Sequence, residues 1–164
     1  MNTFVRKMLI YVIVIVVATF SIITAVRNKK DVGKLCETMI ASQKYKDAIN
    51  NCDQAAQRKN NKAQYYMGWM YDSGRGTAQD YKKAMEWYQK AAINGSIDAQ
   101  YNLGVMYALS KGTDQNSVMA LAWYLVAANG KHSEATKAIA SVSTMMTAEQ
   151  INEAQALANK MLGK

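Results

Sequence analysis

The chain has no proline, one histidine, two cysteines and nine glycines in 164 residues, and its first 30 residues carry no acid. Each shortage excludes something. Without proline nothing obliges a helix to break. Alanine, methionine, lysine and glutamine are plentiful and favour helix, so an all-α fold is expected. One histidine and two cysteines do not make the four ligands of a structural zinc site, so no metal is expected. His132 stands in a turn, where it reads as a solvated side chain, and no nucleophile, base and orienting group can be assembled around it. The glycines of Gly74-Arg75-Gly76 close a helix rather than follow a strand, so no phosphate loop and no cofactor are expected.

The missing acids also sort the charge. The net charge is +8, of which Arg6, Lys7, Arg27, Lys29 and Lys30 supply +5 and the remainder of the chain only +3. A nucleic-acid binder would carry a basic stripe on its folded part. Here most of the excess flanks an apolar run, and no nucleic-acid partner is expected.

That run, residues 8–26, is MLIYVIVIVVATFSIITAV, 19 residues without a charge. As a helix it covers about 28 Å, close to the roughly 30 Å hydrocarbon core of a bilayer. It reads as an uncleaved, single-pass transmembrane helix within a basic-flanked anchor, residues 1–30. A cleaved signal peptide is the alternative. Its apolar core would be shorter, and Ile23-Thr24-Ala25 is a poor cleavage site. The two flanks carry nearly equal positive charge, so charge alone leaves the orientation open.

What the remainder has is a repeat. Residues 63–92 laid over residues 99–128, a shift of 36, match at 14 of 30 positions, including Gln64/Gln100, Tyr65/Tyr101, Gly68/Gly104, Gly76/Gly112, Ala84/Ala120, Trp87/Trp123 and Tyr88/Tyr124. Self-similarity at such a period marks a repeat architecture. Each unit reads as helix, glycine-bearing turn, helix. Ala63, Met67 and Met70/Tyr71 make one helical face, and Ala84, Trp87/Tyr88 and Ala91 the next. Gly74 and Gly76 suit a helix exit, and Asp80 and Asn116 suit the next helix's N-cap. Asn94-Gly95 and Asn129-Gly130 stop the second helices. Gly68 costs about 1 kcal/mol against alanine inside a helix. It makes sense where it admits a ring such as Trp87 or Tyr88. A weaker unit precedes these two, with Tyr45, Lys46, Ala48, Ala55 and Ala56 in register and Val32, Leu35, Cys36 and Met39 at packing positions. Thr147-x-x-Gln150, with Met146 and Ile151 as a staple, starts a closing helix over residues 147–161.

The segment Ala63-Gln-Tyr-Tyr-Met-Gly-Trp-Met-Tyr71, the turn Ser73-Gly-Arg-Gly76 and Lys83-Ala-Met-Glu-Trp-Tyr-Gln-Lys-Ala-Ala92 before Asn94-Gly95 resemble the Sel-1-like repeat family, which is related to the tetratricopeptide repeats. The second copy departs from it where Ser110 replaces a turn glycine and where Ser117-Val-Met119 replaces a charged helix start. The resemblance implies an α/α superhelical solenoid behind the anchor. Its parts are a degenerate, tetratricopeptide-like first repeat over 31–62, repeats over 63–98 and 99–134, and capping helices over 135–164. It also implies a non-enzymatic scaffold or adaptor with protein partners, often exported in bacteria.

On this alignment Cys36 takes the place of Gly68 and Gly104, and Cys52 that of Tyr88 and Tyr124. Both then face the contact within the first helical hairpin, within reach of a disulfide. The alternative is two buried thiols. A disulfide would put the repeats in an oxidising compartment, outside a bacterial inner membrane, in the periplasm.

Lys62, Tyr65, Trp69 and Asp72 form one stripe on a first helix, continued by Asp98, Tyr101, Val105 and Ala108. By the geometry of related repeats this stripe lines the concave surface and would hold a protein or peptide, with exposed aromatics as anchors. For Trp69 the other reading is packing against the preceding unit. Two further functions stand beside the adaptor. Cysteine-rich relatives have been described as penicillin-binding or β-lactamase-like, but no serine here has the lysine three residues on that such chemistry uses. The other is a structural subunit of a membrane complex.

Overall fold

The computed structural model describes residues 3–163, without the side chains of residues 3–7, 9 and 22–31. Among them are eight helices: α1 Thr3–Ala41, α2 Tyr45–Gln57, α3 Asn61–Ser73, α4 Tyr81–Ile93, α5 Ile97–Ala108, α6 Ser117–Asn129, α7 Ala135–Ser143 and α8 Ala148–Leu162. They form an all-helical solenoid. The hairpins α1–α2, α3–α4 and α5–α6 stack in order, and α7 and α8 close the end against α6. Helix α3 also meets the first helices of its neighbours, α1 and α5. The first helices thus lie side by side and form the inner face.

The helix boundaries follow from local chemistry that recurs every 36 residues. Asn60 and Ser96 cap α3 and α5 by accepting the N–H groups of Ala63 and Ala99. Asp80 and Asn116, as expected, cap α4 and α6 at 3.0 and 2.9 Å. The Thr147–Gln150 capping box is formed in both directions. Gly74, Gly76 and Gly112 take left-handed φ of 70°, 79° and 75°. So does Ser110, at 56°, in the place of Gly74. The turns between hairpins need one left-handed residue each, and these are Lys59, Gly95 and Lys131. The expected stop at Asn129-Gly130 is therefore displaced by one residue. Gly130 keeps φ −77°, and its missing side chain makes room for Ile97, whose Cγ1 would stand 2.8 Å from an added Cβ.

Packing explains the glycines inside helices. A Cβ on Gly68 would lie 2.5 Å from Tyr88 Cδ1, and one on Gly104 would lie 2.5 Å from Tyr124 Cδ1. Tyr88, not Trp87, fills the notch. In the first hairpin the same place is bridged by Cys36–Cys52, with 4.8 Å between their Cα atoms. Both cysteines are fully buried. Around them Val32 and Met39 pack as expected, but Leu35 points outward. Gly33 takes the inward position instead, against Asn60.

Helix α1 runs unbroken across the expected boundary between anchor and first repeat. Its described side chains from Ile10 to Ser21 are all exposed, on every face of the helix. Among the described residues no helix is long and apolar enough to cross a membrane. The segment 8–26 lies partly outside them.

Candidate binding surface on the inner face

The inner face is built by α1, α3 and α5. On α3, Lys62 is exposed and pairs with Glu37 of α1 at 3.4 Å. Next comes Tyr65, half-buried, its ring 5.9 Å from that of Tyr88. The arrangement repeats one unit on, where Tyr101 stands 5.5 Å from Tyr124. Each inner-face tyrosine leans on the tyrosine that fills a glycine notch, so the packing of the core sets the orientation of the surface ring. Burial pushes the Tyr65 hydroxyl above its usual range, and the nearby Asp98 carboxylate adds to this. Burial raises Tyr88 much further, helped by Asp72.

Trp69 is half-buried and packs edge-on against Tyr45 of α2, 5.5 Å between ring centroids. It therefore does pack against the preceding unit. Arg75 covers both rings, its guanidinium carbon 4.9 Å from the Trp69 centroid and 5.4 Å from that of Tyr45. Lys111 repeats this device over Tyr81 at 5.2 Å and also faces the Asp72 carboxylate at 3.6 Å. One Asp72 oxygen, Oδ1, lies out of water without a hydrogen bond, and the Lys111 ammonium compensates its charge. Val105 and Ala108 continue the stripe into a groove of about 350 Å³ that Leu109, Tyr124, Val142 and Met145 complete.

His132 is not the solvated side chain its turn position suggests. Its ring stacks on Tyr101 at 4.2 Å and 10°, and Nε2 lies 3.6 Å from Asp98 Oδ1. Nδ1 accepts the N–H of Glu134 at 3.3 Å, so His132 stands in sequence register with the cap residues Asn60 and Ser96 and caps the following turn. That register was the signal: 60, 96 and 132 are 36 apart. The six expected residues, Lys62, Tyr65, Trp69, Asp72, Asp98 and Tyr101, thus lie on two adjacent first helices. Sequence reasoning missed Arg75, Lys111 and His132, which join them.

It also gave no role to Gln64 and Gln100, though it matched them. Each donates to the last turn of the preceding second helix, Gln64 to Ala56 at 3.1 Å and Gln100 to Ala92 at 3.2 Å. Gln64 also accepts from Asn94 at 2.7 Å. These amides tie one hairpin to the next. Among the described residues no group of three histidine, cysteine, aspartate or glutamate side chains is placed to hold a metal ion.

Comparison with known proteins agrees with this architecture. The model of the Sel1 repeat family matches residues 61–96 and 97–132, two units with the period read from the sequence. No curated protein matches the chain. Among solved structures, a protective antigen present in uropathogenic Escherichia coli strains, displaying an SLR fold, is similar with a TM-score of 0.78 and 25% identity, over 83% of this chain and 30% of that one. A Sel1 repeat protein from Oxalobacter formigenes is similar with a TM-score of 0.65 and 27% identity, over 79% of this chain and 55% of that one. The chain spans about a third of the first and about half of the second. Proteins of this repeat type are generally non-enzymatic interaction scaffolds. With a period of 36, two matched units and a solenoid that follows known ones, residues 61–132 form two Sel1 repeats.

Proposed function

We propose that the chain is a membrane-anchored scaffold that binds a protein or peptide along the inner face formed by α1, α3 and α5. The observation that carries this is the row of half-buried aromatic rings, Tyr65, Trp69 and Tyr101, fixed from behind by Tyr88, Tyr45 and Tyr124. Rigid rings with one open edge give contact area at little cost in side-chain entropy. Exposed Lys62 and Asp98 flank them as a polar rim.

Anchoring is assigned to residues 8–26, a single pass through a bacterial inner membrane with the repeats in the periplasm. The apolar sequence, its basic flanks and its continuity with the first repeat support the anchor. The buried Cys36–Cys52 disulfide supports the oxidising side.

The test is parallel capture from detergent-solubilised membranes with the wild type, Lys62→Ala/Asp98→Ala, Trp69→Ala and Glu86→Ala. Partners held on the inner face are lost with the first two variants and kept with Glu86→Ala, which lies on a second helix. A partner retained by both inner-face variants places binding elsewhere.

A further inference from the structure

The clefts between successive second helices recur with the repeat. One, of about 290 Å³, lies between α2 and α4 and is lined by Ala56, Lys59, Gln64, Trp87, Lys90 and Ile93, among others. Another, of about 330 Å³, lies between α4 and α6, where Ala92, Gly95, Gln100, Trp123 and Val126 hold the equivalent positions. The two differ in what borders them. Met161 and Leu162, at the carboxyl end of α8, line the second cleft. Among the described residues the first is lined only by its own hairpins and the turns that end them. Ile93 on its rim is 81% exposed.

They differ in charge as well. Gly95 and Val126 in the second cleft correspond to Lys59 and Lys90 in the first, and among the described residues no acid lines the first. Lys90 Nζ stands 4.1 Å from the Trp87 ring centre, at the mouth. The helix end that borders the second cleft carries the partial negative charge of its last carbonyls. Two lysines suit such an end where glycine and valine offer it no charge.

We propose that the α2–α4 cleft receives the carboxyl-terminal turn of a partner helix that bears two adjacent large aliphatic side chains. The aliphatic pair rests on Trp87 and Ile93, in the place that Met161 and Leu162 border at the next cleft. Lys59 and Lys90 face the free carbonyls and any terminal carboxylate. This surface lies on the second helices and is independent of the inner-face reading.

The probe is a synthetic peptide with the sequence Ala148–Leu162 and a free carboxylate, titrated into the full chain in detergent micelles. Fluorinated tryptophan reports each cleft separately, with Trp87 and Trp123 assigned by single Trp→Phe variants. The expected result is a saturable shift of the Trp87 signal while Trp123, whose cleft α8 already borders, stays put. Lys59→Glu with Lys90→Glu, both at exposed positions, weakens that binding about tenfold for two reversed surface pairs. Circular dichroism confirms that this variant is folded. A Trp87 signal that never moves overturns the proposal. So does movement of Trp123 alone, an equal response to a scrambled peptide of the same composition, or unchanged affinity in the charge-reversed variant.

Discussion

Replacing Gly68 by alanine sets two forces of opposite sign against each other. Gly68 lies within α3, where alanine gains about 1 kcal/mol from helix propensity alone. Against this stands the Tyr88 ring. An added Cβ would lie 2.5, 2.7 and 3.0 Å from its Cδ1, Cε1 and Cγ. Tyr88 is fully buried and supports Tyr65 on its other side, so the ring cannot yield without moving a second ring. Overpacking of this kind costs about 1–3 kcal/mol. Because three ring atoms are met at once, the upper part of that range applies, and the net loss is about 1–2 kcal/mol after the propensity gain. Thermal unfolding followed by circular dichroism should then show a Tm lower by about 3–8 °C. The control is the same change in a Tyr88→Ala background. With the ring gone, Gly68→Ala should become stabilising by about 1 kcal/mol. A Gly68→Ala variant that melts above the wild type, or a loss that persists without the Tyr88 ring, would refute the close-approach argument.

Four further outcomes follow from the same structure. Ser110→Gly should raise stability by about 1 kcal/mol, since Ser110 holds a left-handed φ that glycine adopts without strain; chemical denaturation measures it. Replacing both cysteines by alanine should cost about 2–4 kcal/mol, because the disulfide closes a loop of 16 residues; comparison of oxidised and reduced wild type checks it. In alkaline solution burial holds the Tyr124 hydroxyl at about 12 against an ordinary 10.0. Its raised value gives stability that is full below pH 10 and lost as pH climbs towards 12, and Tyr124→Phe should remove that part of the slope in a pH series of urea melts. At the acid end the backbone N–H of Lys83 holds the Asp80 carboxyl below its usual range. That contribution is full above the unfolded value and fades as pH falls through the folded one, so Asp80→Asn should melt with less acid dependence than the wild type.

Much of this fold was legible because the repeat writes each instruction at least twice. Gly76 and Gly112, Asp80 and Asn116, and Tyr88 and Tyr124 fall into register in the sequence itself, and each pair does the same work in both units. The Cys36–Cys52 contact was legible for the same reason, by taking the place of a glycine–tyrosine contact. Where the pattern stretched, reading failed. Asn129-Gly130 looks like Asn94-Gly95 but sits one residue early, so Gly130 serves space for Ile97 and Lys131 takes the turn. Leu35 fits the helical spacing of an inward residue, yet Gly33 occupies the inward place because Asn60 comes close there. On the inner face the stripe of six residues was readable from helical periodicity. Its joining residues were not, because Arg75 over Trp69, Lys111 beside Asp72 and His132 on Tyr101 each cross from a loop to a helix.

The unbroken course of α1 from Thr3 to Ala41 has a consequence of phase. One helix serves as both the exposed apolar segment and the first element of the solenoid, so no hinge lets the two turn separately. Inserting a single residue between positions 22 and 31 would rotate the whole solenoid by about 100° about that axis and lift it by about 1.5 Å. A seven-residue insertion would bring the inner face back to within about 20° of its starting azimuth. Function should therefore vary with insertion length periodically, falling and returning with the turn of the helix. The direction in which the inner face looks is as much a part of the site as Trp69 or Tyr101.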